Sequence, residues 1–155
     1  MVFILAKELK VKIDKEKAMK IALVHDLSES ITGDIDAIKI SEGKFSKDAK
    51  HQLEINAIEK IKNSLPKELG KEIYDLWSEY ENCSTEEGKF VKGIDKLETL
   101  TQLVESGYTT YDKPDFILEY TNKVIKDFPI IKDFLISVKE KLKTEFMKGG
   151  FSWEE

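Results

Sequence analysis

The sequence predicts an all-α fold of about six or seven helices, and three observations support this fold class. Apolar residues recur with a helical period through nearly the whole chain. No segment alternates apolar and polar residues between hairpin turns, as a half-buried strand would. Capping residues, prolines and glycines interrupt the pattern at intervals that suit separate helices. A length of 155 residues fits one domain, which we predict over 1–148, with a tail at 149–155.

The first two helices are predicted from their ends and their apolar content. Met1–Leu9 is interpreted as the latter part of a helix, truncated in this sequence, whose beginning lies upstream. Asp14 is the expected N-cap of a helix from Lys15 to about Asp26, with Glu16 favourably placed in its first turn. The second half of this helix is apolar nearly all round, so we expect it to be central and buried.

The later helices are predicted from prolines and one capping motif. Residues 35–44 are predicted to form a surface loop after Gly33. Pro66 and Pro129 each open a helix, and Ser84–Glu87 matches a capping box that opens another. The predicted helices cover residues 45–63, 66–80, 84 to at least 100, 115–126 and 129 onward, with a turn region at 107–114. Their inward-facing residues are predicted to include Leu53, Ala57, Ile58, Leu69, Leu76 and Trp77. The tail is expected to be frayed.

The composition excludes several functional classes. The formal net charge is −5, whereas proteins that bind duplex nucleic acid usually carry a basic surplus. A small phosphorylated substrate remains compatible with this charge, because a bound cation overrides a negative surface locally. No apolar run has the length needed to cross a bilayer. The single cysteine, Cys83, cannot form a disulfide within the chain, so we expect a reducing, cytoplasmic location.

An acidic cluster follows the helix that we expect to be buried. His25 and Asp26 end this helix, and Glu29 and Asp34 follow within ten residues. Burying such groups without partners costs on the order of several kcal/mol. A divalent cation would offset this cost, since imidazole and carboxylate are both good ligands for first-row metals. The structural alternative is an ordinary histidine at a helix C-terminus, stabilised by the helix dipole.

Asp95 is the distant candidate ligand, because it borders the apolar stripe of its predicted helix. The alternative is a solvated aspartate paired with Lys92 or Lys96, which contributes only tenths of a kcal/mol, roughly. Periodicity alone favours that alternative. His51 is interpreted as a surface or structural histidine. Glu54, on the same helix face, is interpreted as a support for the site or as a solvated partner of Lys50.

Four segments together resemble the HD-domain 5′-deoxynucleotidase family. They are His25-Asp26…Glu29…Gly33-Asp34, Lys50-His51…Glu54…Ala57, Leu76-Trp77-Ser78-Glu79-Tyr80-Glu81, and Lys89-Phe90-Val91-Lys92…Asp95-Lys96-Leu97-Glu98. Their order and spacing agree with the family over about the first hundred residues. The resemblance implies an HD-domain helical bundle that removes phosphate from deoxynucleoside 5′-monophosphates.

The resemblance also implies the site. His25, Asp26 and Asp95 match metal ligands, Glu29 matches the carboxylate that handles the attacking water, and Asp34 matches a second acidic catalytic residue. The residues that bind substrate stay unknown. One divalent metal ion is implied, and the sequence does not distinguish cobalt, manganese, magnesium, iron, nickel and zinc. The family further implies a small nucleotide substrate and a homodimer, whereas the lack of a long apolar run predicts that there is no membrane partner.

One position departs from the family pattern. The family's first ligand histidine aligns upstream of Met1, so we expect it to belong to the missing part of the first helix. Two alternatives stay open. One is another HD nucleotide hydrolase, acting on a triphosphate or a cyclic nucleotide; the guanosine-polyphosphate class is disfavoured, because Ser30 rather than an aspartate follows Glu29. The other is a metal-poor, non-catalytic HD scaffold.

Overall fold

The chain is all-α over the residues that its structure, a computed structural model, describes: 1–9, 12–35, 38, 40 and 42–153. Among these residues are seven α-helices longer than one turn, one single-turn helix and two short 3-10 helices. The α-helices are α1 (Val2–Glu8), α2 (Lys15–Val24), α3 (Glu29–Thr32), α4 (Lys47–Ser64), α5 (Lys67–Asn82), α6 (Glu86–Ser106), α7 (Pro114–Asp127) and α8 (Lys132–Gly149). The predicted fold class is confirmed.

The chain divides into two compact units. The histidine unit, named for the two histidines it contains, is Val11–Gly88; the C-terminal unit combines Met1–Lys10 with Lys89–Glu155. Within the histidine unit, α5 packs against α2 and α4, and α3 packs against α4. Within the C-terminal unit, α8 packs against α7 and against the 3-10 helices Tyr108–Thr110 and Pro129–Ile131. The predicted domain limits, 1–148 with a tail at 149–155, stay a prediction.

The start of α2 follows the sequence prediction. The Asp14 carboxylate accepts a hydrogen bond from the backbone N–H of Lys17 at 3.1 Å, which satisfies one of the unpaired donors in the first turn. The helix ends at Val24, so His25 and Asp26 lie just beyond it. The same kind of cap opens α4, where the hydroxyl of Ser46 accepts from the N–H of Ala49 at 3.0 Å.

The capping motif before α6 lies one residue later than predicted. The hydroxyl of Thr85, not that of Ser84, accepts from the N–H of Gly88 at 3.1 Å. The same hydroxyl donates to the Glu79 carboxylate on α5 at 2.8 Å. Glu87, which the prediction assigned to the capping box, instead accepts from the backbone N–H of Asp14 at 2.9 Å. A tertiary partner for Glu87 therefore displaces the local pairing that the motif suggested.

The predicted burial is wrong at three leucines. Ala18 and Ile21 of α2 are fully buried, but Leu23 is 80% exposed, so this helix is covered on one face rather than all round. Leu53 and Leu69, both expected to face inward, are also exposed. Among the other predicted inward positions on these two helices, Ala57, Ile58, Leu76 and Trp77 are buried, and Ile61 and Ile73 are partly buried. Periodicity identifies the apolar face of a helix, but the neighbouring helices determine how much of that face is buried.

The end of the chain is packed rather than frayed as far as residue 153. Phe151 and Trp153 pack against a buried cluster that includes Tyr111 and Phe146, with the Trp153 ring edge-on to Phe146 at 5.1 Å between centroids. The prediction of fraying is therefore wrong for residues 151–153. Pro129 opens a 3-10 helix ahead of α8 instead of α8 itself. The predicted loop at 35–44 falls partly outside the described residues.

None of the helices in the described parts of the chain combines the length and apolar character needed to span a membrane.

Candidate functional site

His25 is held in a defined orientation directly after α2. Its backbone N–H continues the helical pattern by donating to Ile21, and its ring Nδ1 lies 2.9 Å from the carbonyl oxygen of Ala22. A carbonyl oxygen only accepts, so Nδ1 carries the hydrogen and donates it. The buried ring of Tyr80, on α5, lies edge-on to the imidazole at 4.9 Å between centroids. In the neutral imidazole, these contacts leave Nε2 as the ring atom that bears a lone pair.

The Nε2 atom of His25 faces the Asp26 carboxylate at 3.1 Å from Oδ2. The Asp26 side chain is 61% exposed, so the expectation that this acidic cluster is buried is wrong at Asp26. With Nδ1 protonated, this contact joins two acceptor atoms unless a proton or a metal cation lies between them. Ligand bonds of about 2.0–2.2 Å place two donor atoms of one ion about 3 to 3.5 Å apart, which the observed separation matches. The tautomer, the distance and the donor chemistry therefore all fit a divalent cation at this pair.

Glu29 and Asp34 lie in the same electrostatic neighbourhood. Partial burial raises the pKa of the Glu29 carboxyl, and the negative charges of Asp26 and Asp34 raise it further. The Lys50 ammonium opposes this effect and lowers the pKa of Glu29. A carboxylate whose pKa is raised toward neutrality is a better proton acceptor for general base catalysis. Four of the five predicted site residues, namely His25, Asp26, Glu29 and Asp34, thus belong to one part of the histidine unit.

Gly33 separates Glu29 from Asp34 and sets the direction of the chain between them. Its φ of 71° and ψ of 162° lie in a region that residues with a Cβ rarely adopt. The N–H of Gly33 donates to the carbonyl of Glu29 at 2.8 Å and ends α3 after one turn. The chain then leaves the helix toward Asp34 and Ile35. This turn is the physical reason for glycine at position 33.

On α4, a half-buried ion pair faces the same segment. Lys50 Nζ lies 3.5 Å from a carboxylate oxygen of Glu54 and donates to the backbone carbonyl of Ile35 at 3.4 Å. Glu54 is only 8% exposed, and burial raises the pKa of its carboxyl, an effect that Lys50 opposes. Of the two roles the sequence left open for Glu54, the solvated pair is therefore wrong, and the carboxylate is a buried part of this region.

A second group of possible metal ligands lies on α4 and α5. His51, Glu54 and Glu81 each offer one ligand atom, and these atoms all lie within 4.8 Å of one another. In the described part of the chain, no other group of three or more His, Cys, Asp or Glu residues has its ligand atoms this close together. Two donor atoms bound to one ion lie roughly 3 to 3.5 Å apart. The ligand atoms of this group lie up to 4.8 Å apart, so the side chains would have to move closer together to bind one ion. His51 is exposed, and its ring stacks near Trp77 at 6.5 Å between centroids.

The sequence motifs contain all three of these residues, but sequence reasoning assigned no ligand role to them. His51 and Glu54 lie one helical turn apart on α4, whereas Glu81 lies on α5. The packing of α5 against α4 brings Glu81 to the other two. No local spacing rule relates residues on two helices, so the sequence carries no signal for this group beyond the motif itself.

Asp95, the fifth predicted site residue, lies on α6 in the C-terminal unit. Its carboxylate forms an ion pair with Lys96 at 2.9 Å, and its side chain is 25% exposed. Asp95 also lies close enough to Tyr120 for its charge to raise the pKa of that phenol, although burial is the larger cause. The side chain is therefore partly buried beside Lys96, and its role as a metal ligand stays a prediction.

Comparison with known proteins gives the family of this chain. A family model described as an HD domain matches residues 1–131. The 5′-deoxynucleotidase HDDC2 of Danio rerio is 38% identical over 143 residues, which cover 90% of this chain and 68% of that protein. The chain belongs to the HD-domain 5′-deoxynucleotidase family.

Two further members of this family are also similar over long segments. The 5′-deoxynucleotidase HDDC2 of Dictyostelium discoideum is 48% identical over 113 residues, which cover 73% of this chain and 54% of that protein. A 5′-deoxynucleotidase of Schizosaccharomyces pombe is 38% identical over 134 residues, covering 83% of this chain and 65% of that protein. The chain spans about half the length of the Dictyostelium relative and of the mouse HDDC2.

Proposed function

We propose that this chain is a metal-dependent phosphohydrolase that removes phosphate from deoxynucleoside 5′-monophosphates. Its membership of the HD-domain 5′-deoxynucleotidase family supports this class of reaction. The observation that carries the proposal is the pairing of His25 Nε2 with the Asp26 carboxylate at 3.1 Å, next to a Glu29 carboxyl with a raised pKa. Such an arrangement suits a metal ion beside a general base.

His25, Asp26 and Asp95 are the proposed ligands of one divalent cation. Imidazole nitrogen and carboxylate oxygen suit cobalt, manganese, iron, nickel and zinc, and magnesium accepts the carboxylates. When bound, the cation would acidify a water molecule and offset negative charge on the phosphoryl oxygens. The contact between Nδ1 of His25 and the Ala22 carbonyl would keep Nε2 directed at the metal, as such hydrogen bonds do in other metal sites.

The acidic residues then have separate roles. Glu29 accepts the proton of the attacking water, and its raised pKa makes this transfer more favourable near neutral pH. The phosphorus–oxygen bond to the 5′ oxygen breaks as the water oxygen bonds to phosphorus, and the leaving oxygen takes up a proton. Asp34 orients the water or the leaving group. Deoxynucleoside and inorganic phosphate are the products.

A substrate panel tests the reaction class. The purified chain is incubated with each of the six candidate metals and with deoxynucleoside and ribonucleoside monophosphates, triphosphates and cyclic nucleotides, and phosphate release is measured. We expect the deoxynucleoside 5′-monophosphates to be hydrolysed fastest. Preferential hydrolysis of triphosphates or cyclic nucleotides would replace the proposed substrate class. Absence of bound metal at any reasonable ion concentration, with no hydrolysis of any nucleotide, would favour the metal-poor, non-catalytic scaffold.

The variant Glu29→Gln tests the proposed base. It keeps the size of the side chain but removes its proton-accepting charge, so we expect turnover to fall about 100-fold or more while metal content stays that of the wild type. Glu59→Gln, at an exposed position on α4, is the matched control and should keep wild-type rates. If Glu29→Gln also keeps wild-type rates, Glu29 is not the base.

Two further statements stay predictions from the sequence. A homodimer is implied by the family resemblance alone, and light scattering of the purified chain measures it. A cytoplasmic location rests on the single cysteine, Cys83, which is unpaired.

A further inference from the structure

Lys50 connects two segments of the proposed site that are distant in sequence. From α4, its ammonium donates to the carbonyl of Ile35 at 3.4 Å and lies 3.5 Å from Glu54 on the same helix. Ile35 directly follows Asp34. The segment that carries Asp34 is therefore fixed at one end by the Gly33 turn and at the other by Lys50. Because α3 packs on α4, Glu29 lies on the helix that this contact supports.

The charges around Lys50 give this contact a second effect. Asp26, Glu29, Asp34 and Glu54 are all acidic, and like charges at short range oppose a fixed arrangement of their side chains. A cation held among them reduces this repulsion. Glu54 is 8% exposed, and a buried carboxylate without a positive partner carries a large desolvation cost. The ion pair with Lys50 offsets this cost and thereby restrains the ammonium group. The Lys50 side chain itself is 26% exposed, so it is partly desolvated.

We propose that Lys50 is a positioning residue for hydrolysis: it holds the segment from Glu29 to Ile35 in its catalytic arrangement through the Ile35 carbonyl and through its charge, and Glu54 keeps its ammonium in place. This inference rests on the proposed function, in which Glu29 and Asp34 act on water and the leaving group. Lys50 acts through those residues and does not contact the phosphate.

Three variants test this role. Lys50→Met removes the charge and the donor while keeping an unbranched chain, and Lys50→Arg keeps both. Lys60→Met, at an exposed position on α4, is the matched control. Steady-state kinetics on the best deoxynucleotide, metal content and hydrogen exchange of the amides from 29 to 35 are measured for each.

We expect Lys50→Met to lower kcat about 10- to 100-fold, the range for partners that orient reacting groups, with KM and metal content unchanged and faster exchange at 29–35. Lys50→Arg should recover most of the activity, and Lys60→Met should match the wild type. Unchanged kcat in Lys50→Met would overturn the proposal. A raised KM at unchanged kcat would also overturn it, because Lys50 would then bind substrate. Equal losses in the Met and Arg variants would exclude a role for the charge.

Two outcomes need separate treatment. If Lys50→Met does not fold, Lys50→Gln replaces it under the same criteria: a lower kcat at constant KM supports the proposal and an unchanged kcat overturns it. If the wild-type chain hydrolyses no nucleotide, the proposed function fails, but hydrogen exchange still tests the contact. Exchange at 29–35 that is equal in Lys50→Met and Lys60→Met would then show that Lys50 does not hold this segment.

Discussion

The two histidines of this chain differ in how strongly their surroundings fix them. His25 is held by the Ala22 carbonyl and the Tyr80 ring, and its side chain is 18% exposed. His51 is exposed and has Glu54 and Glu81 within ligand reach. A ligand that is already oriented loses less conformational freedom on binding a metal, so His25 is the better preorganised of the two.

Metal affinity separates these residues. We expect His25→Ala to weaken binding of manganese or cobalt at least about tenfold. Removing a residue that only hydrogen-bonds to a metal ligand already lowers metal affinity by about tenfold or more, and His25 is a proposed ligand itself. His51→Ala should bind nearly as the wild type does, and it is the matched control because the chain has only these two histidines. Equilibrium dialysis with elemental analysis measures both. If His51→Ala loses more metal affinity than His25→Ala, the metal binds at His51, Glu54 and Glu81 rather than at His25 and Asp26.

At the scale of elements, glycine permits the close approach of α5 to its neighbour α4. A Cβ added to Gly70 would lie 2.3 Å from the carbonyl oxygen of Lys62, a separation that requires backbone movement. Gly88, at the start of α6, has the same relation to the Glu79 carbonyl, at 2.4 Å. Close packing of α4 and α5 also forms the second group of possible metal ligands, because it brings Glu81 to Glu54 and His51.

The variant Gly70→Ala tests this packing. Alanine favours a helix over glycine by about 1 kcal/mol, but the clash with Lys62 should outweigh that gain and lower the free energy of unfolding by about 1–3 kcal/mol. Glu68→Ala, at an exposed position on the same helix, should change it by less than about 0.5 kcal/mol. Urea denaturation at neutral pH measures both variants. Greater stability in Gly70→Ala would show that the two helices separate at little cost.

The elements were largely predictable, and the errors have a common physical cause. Helix type follows from local periodicity and end signals, which is why the Asp14 cap was predicted correctly. Burial of Leu23 and Leu53 depends on whether another helix covers them, and local patterns do not contain this information. Glu87 accepts a hydrogen bond from the backbone N–H of Asp14 instead of completing the predicted capping box. This contact also depends on tertiary packing that local patterns do not contain.

The clustering of the candidate site residues was predictable where those residues are close in sequence. His25, Asp26, Glu29 and Asp34 fall within ten residues, so one helix end and one glycine turn bring them together. The connection between Lys50 and Ile35 arises from the packing of α4 on α3, which no spacing rule encodes. The family motif contains Lys50, but a motif does not state which atom its ammonium contacts.

At the scale of the whole molecule, the C-terminal unit has an aromatic core whose stability depends on pH. Tyr111 is 6% exposed and packs with Phe146 and Phe151, and its hydroxyl donates to the Leu103 carbonyl at 2.9 Å. Burial, together with the smaller effect of the negative charge of Glu145, raises the pKa of Tyr111 to about 12. A tyrosinate at this position would lose both its solvation and its ability to donate that hydrogen bond.

The raised pKa predicts how stability falls in alkali. An unfolded tyrosine ionises near pH 10, so the contribution of Tyr111 is fully present below that pH and is lost as the pH rises from 10 toward 12. In Tyr111→Phe we expect the free energy of unfolding to start about 1 kcal/mol lower, from the lost hydrogen bond, and to fall less steeply over this range. Tyr108→Phe, at an exposed position in the same unit, should keep the wild-type slope. Urea titrations at several values from pH 9 to 12 measure the free energy of unfolding of the three proteins as a function of pH. If the curves of the wild type and Tyr111→Phe are parallel, Tyr111 ionises as readily in the folded protein as in the unfolded chain.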